Sequence, residues 1–301
     1  MKVLSFGSLN IDYTYKVDHF VQKGETLSSE SLQVFSGGKG LNQSVALAKA
    51  GVDTYHAGAI GEDGRFLLEI LKDAGANTDM VTVRTDVRTG NAIIQNDKEG
   101  DNCILLYGGA NQAITDEQID ETIAHFEEGD FLLIQNEING LERILAKAHE
   151  KGMKAVLNPS PMNEKILKLP LEYIDYFILN EVEAGQILGE TLEEGYDGRL
   201  LAEKLRAKFP HAAVLLTMGA DGSVYMDGQQ IVQQKAFRVK AVDTTAAGDT
   251  FTGYFLGGLT GGKSVAESME EASKASAIAV TRKGAAPSIP TRSELADFSI
   301  A

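Results

Sequence analysis

Short apolar runs recur along the chain at Val3–Phe6, Tyr55–Ile60, Phe131–Ile134, Ala155–Leu157, Tyr176–Leu179 and Val214–Thr217. Between them lie stretches with apolar residues at helical spacing: Gln43–Ala50, Phe66–Ala74, Glu117–Phe126, Leu141–His149 and Leu200–Lys208. Continuous apolar strands alternating with amphipathic helices predict an α/β fold with a mostly parallel central sheet flanked by helices on both faces. Ligands of such folds sit beyond the carboxyl ends of the strands. Two segments, about 11–36 and 86–107, break the alternation with strand-like patches such as Tyr13–Val17, Ala92–Ile94 and Cys103–Tyr107. Asn96–Asn102 reads as a hairpin turn between the last two. These segments predict a small inserted β-sheet, serving as a lid over a site or as an oligomer interface. After Ser264 the pattern is helical to Ala279 and breaks at Lys283-Gly284.

Composition narrows the class. The chain has 301 residues, 43% of them hydrophobic and 24% charged, which is the balance of a soluble globular protein. A formal charge of −15 leaves no basic stripe for nucleic acid. It does not exclude a small anion, which helix N-termini and a bound cation attract locally. The single Cys103 rules out an internal disulfide, and its apolar neighbours predict a buried thiol. Neither a secretory signal nor a membrane-length apolar run is present, so the expectation is a cytoplasmic protein with no membrane partner.

The most informative run is Asp243-Thr-Thr-Ala-Ala-Gly-Asp249-Thr-Phe251. Ala246, Ala247 and Gly248 lead into a helical pattern, and small residues there leave backbone N–H groups uncovered for an anion. Asp249 in the first turn is placed to take a proton from a hydroxyl while a phosphate is held beside it. An acidic residue favoured by the helix dipole is the plainer reading. Asn10 and Asp12 follow the first strand, where they read either as polyol ligands or as a turn. Ser36-Gly-Gly38-Lys39-Gly40-Leu-Asn42 opens the next helix, either as a glycine-rich turn or as a ligand cradle. Asn180-Glu-Val-Glu183 opens another helix, where the carboxylates read as a magnesium–water site or as a solvated first turn. Thr217–Gly222 ends a strand in a turn suited to a nucleotide edge or to a hairpin. Gly257–Ser264 matches G-x-x-x-x-G-K-S literally, but a helix precedes it where a phosphate loop needs a strand, so it reads as an interhelix turn. The scattered histidines and the absence of a G-x-S-x-G elbow argue against zinc chemistry and a serine triad.

In order and spacing, Ser36–Ala50 with Gly58–Asp63, Gly90–Asn111, Asn180–Glu183 and Asp243–Gly253 resemble the ribokinase branch of the phosphofructokinase-B carbohydrate kinase family, over essentially the whole chain. The resemblance implies one kinase domain spanning 1–301 with an inserted β-lid, and transfer of the ATP γ-phosphate to a sugar, D-ribose at O5. It implies a sugar held by Asn10, Asp12, Gly38, Lys39, Asn42 and Glu137, with Asp249 as base and Ala246, Ala247 and Gly248 as the anion cradle. ATP would lie near Asn180, Thr217, Gly219, Ala220, Gly222, Gly248 and Ser273, with Mg²⁺ held through water by Glu183. A potassium site would draw on Asp243, Thr245, Ala279, Arg282, Gly284 and Ser288. A homodimer through the lid is expected from its apolar strands. The rival readings are a nucleoside or other carbohydrate kinase on this scaffold, and a sugar-binding protein without catalysis, against which the intact Gly248-Asp249 argues.

Overall fold

The computed structural model describes residues 1–193 and 195–298. The chain begins with β1 (Val3–Phe6), β2 (Asn10–Lys16), β3 (Ser31–Gly37), α1 (Lys39–Lys49), β4 (Thr54–Gly61), α2 (Arg65–Ala74) and β5 (Asn77–Arg84). It continues through β6 (Gly90–Asn96), β7 (Asn102–Tyr107), α3 (Asp116–Ala124), β8 (Phe131–Gln135), α4 (Leu141–Glu150) and β9 (Lys154–Asn158). Then come β10 (Ile174–Asn180), α5 (Glu181–Leu188), α6 (Gly198–Lys208), β11 (Ala213–Thr217), β12 (Ser223–Met226) and β13 (Ile231–Gln234). The chain closes with α7 (Ala247–Thr260), α8 (Val265–Val280) and α9 (Arg292–Ala296).

Nine strands form one sheet in the order β13-β12-β11-β10-β9-β8-β1-β4-β5. It is parallel from β11 to β5, with β12 and β13 added antiparallel at one edge. Strand alternation divides its apolar residues between two cores. Leu4 and Phe6 of β1 face α3, α4, α5 and α6 through Ile123, Ile144, Ile187 and Leu205. Val3 belongs to the opposite core, with Val45 of α1, Leu71 of α2, Phe255 of α7 and Met269 of α8. Neither β5 nor the edge strand β13 stands out in the sequence: β5 opens with Asn-Thr-Asp and β13 ends in Gln-Gln, so neither is a continuous apolar run, and each leaves part of its surface open.

The second sheet, β3-β2-β6-β7, pairs β2 with β6 in parallel and its outer strands antiparallel. Every residue of β7 is exposed, including Ile104, Leu105, Leu106 and Tyr107. Cys103 lies on this strand and is exposed too, which corrects the expectation of a buried thiol. Its apolar neighbours belong to an open sheet face and not to a core. Among the described residues, no helix is long and apolar enough to cross a membrane.

The packing of α1 on α7 sets the geometry of the site. A Cβ on Gly253 would lie 2.4 Å from Ala46 Cβ and 2.7 Å from Leu47 N, so only glycine permits this approach. One turn on, Gly257 meets Ala50 in the same way. The two helices thus share an i, i+4 ladder of small residues, and Asp249 and Asn42 stand at its upper end.

Candidate active site

The first turn of α1 is built against the β1–β2 connection. Gly38 caps it at φ 93, Leu41 N donates to Ser8 O at 2.9 Å, and a Cβ on Gly40 would lie 2.4 Å from Ser8 N. From the loop after β8, Glu137 accepts a bond from Lys39 N at 2.8 Å and another from Ser8 Oγ. A carboxylate at the helix N-terminus complements the dipole there. Asn10 opens β2 with its Oδ1 accepting from Asn111 Nδ2 at 2.7 Å. Burial, with Glu137 nearby, pushes the Asp12 carboxyl up to about 6. For Lys39, burial works to lower the ammonium pKa, but Asp249, Glu137 and Glu183 together hold it above its ordinary value. The fold therefore gathers Asn10, Asp12, Gly38, Lys39, Asn42 and Glu137 around the start of α1.

Asp249 is buried in the first turn of α7, with Asn42 Nδ2 donating to its Oδ2 at 3.1 Å and Gln43 Nε2 to its Oδ1 at 2.8 Å. Ala246 adopts a left-handed conformation, φ 59, and no side chain caps the helix. Ala247 N donates to Thr244 O, and Ser276 Oγ of α8 donates to Ala247 O at 3.1 Å, pinning the helix start. A Cβ on Gly248 would meet nothing within 4 Å, so packing does not demand glycine here. What glycine leaves open is space beside the uncapped helix end, where an anion is favoured.

Two cavities meet at that end. The smaller, of about 220 Å³, is lined by Lys39, Asn180, Glu183 and Ala246–Asp249. The larger, of about 590 Å³, shares Thr217, Ala247 and Gly248 with it and extends past Gly219, Ala220, Gly222 and Ser273. Asn180 and Glu183 also form the capping box of α5: Glu183 N donates to Asn180 Oδ1, and Asn180 N to Glu183 Oε2. Helix capping thus accounts for their spacing by itself. Glu183 is nevertheless buried against the small cavity, with its Oε1 uncommitted to the cap.

Asp243 bridges two segments. Its Oδ1 accepts from Thr245 N and its Oδ2 from Gly284 N, both at 2.9 Å. Burial works to raise this carboxyl, yet those bonds and the Lys283 charge hold it below the usual range. Ala279 and Ser288 are buried nearby in sequence, Arg282 N donates to Ala279 O, and the Arg282 guanidinium turns to Glu294 at 2.7 Å. The Walker-like string stands apart from all this: Gly257–Thr260 end α7, Lys263 pairs with Glu271, and Ser264 caps α8.

Sequence reasoning missed Gln43, Gln135, Asn158 and Asn111. Gln43 is fully buried, donates to both Asp249 and Asn158, and accepts from Gln135 Nε2 at 2.6 Å. The available signal was a polar triplet, Asn42-Gln43-Ser44, in a helix whose residues Gly40–Leu47 are all buried. Burial on every side is not visible in the sequence.

Residues 1–292 match the profile of the pfkB family of carbohydrate kinases. A ribokinase of Haemophilus influenzae is 35% identical over 299 residues, 97% of this chain and 96% of that protein. The crystal structure of Cryptococcus neoformans ribokinase in complex with ADP superposes with a TM-score of 0.87 at 32% identity, covering 98% of this chain and 99% of that one. The structure of Arabidopsis thaliana ribokinase complexed with ribose and ATP gives a TM-score of 0.86 at 29% identity, covering 99% of both chains. The chain belongs to the pfkB family of carbohydrate kinases and is an ATP-dependent enzyme of that family.

Proposed function

We propose that this enzyme phosphorylates D-ribose at O5, binding the sugar among Asn10, Asp12, Gly38, Lys39, Asn42 and Glu137. The observation that carries the reading is the position of Asp249, at the uncapped start of α7 where the sugar-side cluster and the nucleotide-sized cavity meet. The ribose and ATP complex of the Arabidopsis relative supports the choice of sugar. Asp249 takes the proton of the acceptor hydroxyl as that oxygen forms its bond to the γ-phosphorus. The β–γ bridging bond breaks, and ADP leaves with the electron pair. In a loose transition state little base strength is needed, so the carboxylate acts chiefly by position. The first-turn N–H of Gly248, in the turn shaped by Ala246 and Ala247, stabilises charge on the moving phosphoryl group, and Lys39 adds a cation beside it. Adenosine occupies the large cavity against Thr217, Gly219, Ala220, Gly222 and Ser273, with Asn180 on its phosphate side.

Glu183 has the hard oxygen ligand and the location to hold Mg²⁺ through water, and the ion neutralises phosphate charge when bound. Asp243, Thr245, Ala279, Arg282, Gly284 and Ser288 supply oxygen donors for a potassium ion, several through backbone carbonyls, and Asp243 draws the two segments together. We read the chain as one kinase domain, 1–301, with the four-stranded sheet as its lid. The exposed apolar strand β7 and the exposed Leu32, Val34 and Phe35 of β3 support a homodimer formed through that sheet, in a protein we take to be cytoplasmic. Sedimentation at micromolar concentration tests the dimer, and a monomer of full activity overturns it. A coupled ADP-release assay over a panel of pentoses, hexoses and nucleosides tests the substrate. Ribose should give the highest kcat/KM, and a nucleoside exceeding it would move the enzyme to the neighbouring class.

A further inference from the structure

Three side chains behind Asp249, those of Gln43, Asn158 and Gln135, form a hydrogen-bonded chain whose polarity is fixed at both ends. At one end the Asp249 carboxylate accepts through both oxygens, and Gln43 turns its NH₂ toward it, at 2.8 Å from Oδ1. At the other end Asn158 Nδ2 donates to the backbone carbonyl of Ile178 at 2.8 Å, which turns its Oδ1 back toward Gln43. The second hydrogen of Gln43 Nε2 meets that Oδ1 at 3.1 Å. With both donors committed, Gln43 Oε1 takes a bond from Gln135 Nε2 at 2.6 Å. This orientation leaves Gln135 Oε1 buried with no hydrogen-bond partner among the described residues. Turning the Gln135 amide over would bring two oxygens together at Gln43, and turning both amides would aim an oxygen at the Asp249 carboxylate. An unsatisfied buried acceptor is costly, and it is retained here where the opposite choice would repel the carboxylate.

Room for this chain is written into the backbone. A Cβ on Gly7 would lie 2.3 Å from Gln135 Oε1 and 2.6 Å from Gly40 Cα, so glycine after β1 leaves room both for the Gln135 amide and for the first turn of α1 above it. Gln43 is fully buried and lines neither cavity. Whatever it contributes to turnover passes through Asp249. Asn42 differs: its donor reaches Asp249 Oδ2, while its Oδ1 has no protein partner among the described residues.

We propose that Gln43 is a positioning residue that fixes the rotation of the Asp249 carboxylate, with Gln135 locking the Gln43 amide in the donating sense. This rests on the reading of Asp249 as the base. Asn42 and Gln43 hold one carboxylate oxygen each, so removing Gln43 leaves the group tethered by one oxygen and free to turn about its χ2 axis. Sugar and nucleotide contacts stay in place, so the loss falls on kcat.

The test is a double-mutant cycle read in steady-state kinetics and ligand titration. Gln43→Met keeps length and removes both donors. Its kcat should fall on the order of 10- to 100-fold with KM for ribose and ATP within about threefold, as expected for a misplaced reacting group. In an Asp249→Ala background the same substitution should change the residual rate by less than about twofold, because residues acting as a unit are not additive. An equal factor in both backgrounds, or a rise in KM with kcat unchanged, makes Gln43 merely structural and overturns the proposal. A harmless Gln43→Met beside a crippled Asp249→Ala overturns it too, leaving the base assignment standing. Near-parental turnover of Asp249→Ala instead removes the base assignment itself. Should Gln43→Met fail to fold, Gln135→Met carries the test: it leaves the Gln43–Asp249 contact present but unlocked. There kcat should fall roughly 3- to 10-fold with KM unchanged, again only where Asp249 is present. An unchanged kcat in folded Gln135→Met refutes the lock.

Discussion

Replacing Gly253 by alanine adds a single methyl group some distance from any ligand, yet it should cripple turnover more than it harms the fold. The new Cβ would stand 2.4 Å from Ala46 Cβ and 2.7 Å from Leu47 N. Carbon atoms rest about 3.5–4.0 Å apart, so α1 and α7 must separate locally by about 1 Å. Overpacking of this kind costs roughly 1–3 kcal/mol. Exchanging glycine for alanine inside a helix returns about 1 kcal/mol, so the net loss is about 0–2 kcal/mol. For a chain of this size that is at most several degrees in melting temperature.

The catalytic cost has a different origin. Gly253 lies one turn below Asp249 on α7, and Ala46 one turn below Asn42 on α1. A gap opened there is transmitted to the bonds that Asn42 and Gln43 make to the carboxylate at 3.1 and 2.8 Å. A displacement of about 1 Å at a reacting group can cost on the order of 10²-fold. We expect kcat in the coupled ADP-release assay to fall at least 10-fold, with thermal unfolding and ATP binding little changed. Gly257→Ala is the control: its Cβ meets the side chains of Ala50 at 2.8 Å and Val52 at 3.4 Å, a full turn farther from the site. It should leave kcat within about threefold of the parent. A Gly253→Ala enzyme of parental kcat, or one whose loss is matched by Gly257→Ala, would refute the idea that helix spacing sets the base.

Gly248 is the opposite case in the same helix: alanine fits the fold there, so Gly248→Ala should keep or raise the melting temperature while KM for ATP rises and kcat falls. Retained ATP kinetics would mean that the phosphate does not approach this turn. Lys263→Ala should leave ATP affinity and turnover nearly unchanged, since Lys263 pairs with Glu271 between helices, and abolished activity in a folded variant would relocate the nucleotide. Asp12 is raised to about 6 in the folded protein against 3.8 for the ordinary group, first by burial and then by Glu137. The native state therefore binds the extra proton between those values, so this group's contribution to stability is full below 3.8 and is lost as pH rises through about 6. The ionised carboxylate is the stronger acceptor for sugar hydroxyls, so kcat/KM for ribose should fall as pH drops below about 6, and Asp12→Asn should remove that limb of the profile. Potassium should raise the rate above sodium or a bulky organic cation at matched ionic strength, and equal rates would count against a cation held beside Asp243.

Which parts of this enzyme were legible in its sequence follows from what each part depends on. Buried parallel strands announce themselves as apolar runs because both faces are covered, and β1, β8, β9, β10 and β11 were all readable for that reason. β5 and the edge strand β13 have a half-open face, and Cys103 has apolar neighbours that face solvent, so apolarity misled at the sheet margins. The Ala246–Asp249 turn was legible because its chemistry is local: small residues, an uncapped helix start and one carboxylate lie within a single turn.

The residues behind that carboxylate depend instead on contacts between distant segments. Gln43, Gln135 and Asn158 come from α1, β8 and β9, and 206 positions of sequence separate Gln43 from the Asp249 it touches. A buried glutamine and a solvated one look alike in a sequence. What distinguishes Gln43 is that its amide nitrogen donates to two partners and its oxygen accepts from a third, in a polarity dictated by a carboxylate that the chain supplies much later. The glycines carry the same information from the other side. Gly7 makes room for Gln135, Gly253 brings α7 onto α1, and Gly248 leaves a helix end bare, and a count of glycines cannot tell these three reasons apart. Each can be separated by a single added methyl: at Gly7 it should disturb the amide chain together with the first turn of α1, at Gly253 the helix spacing, and at Gly248 only the ligand.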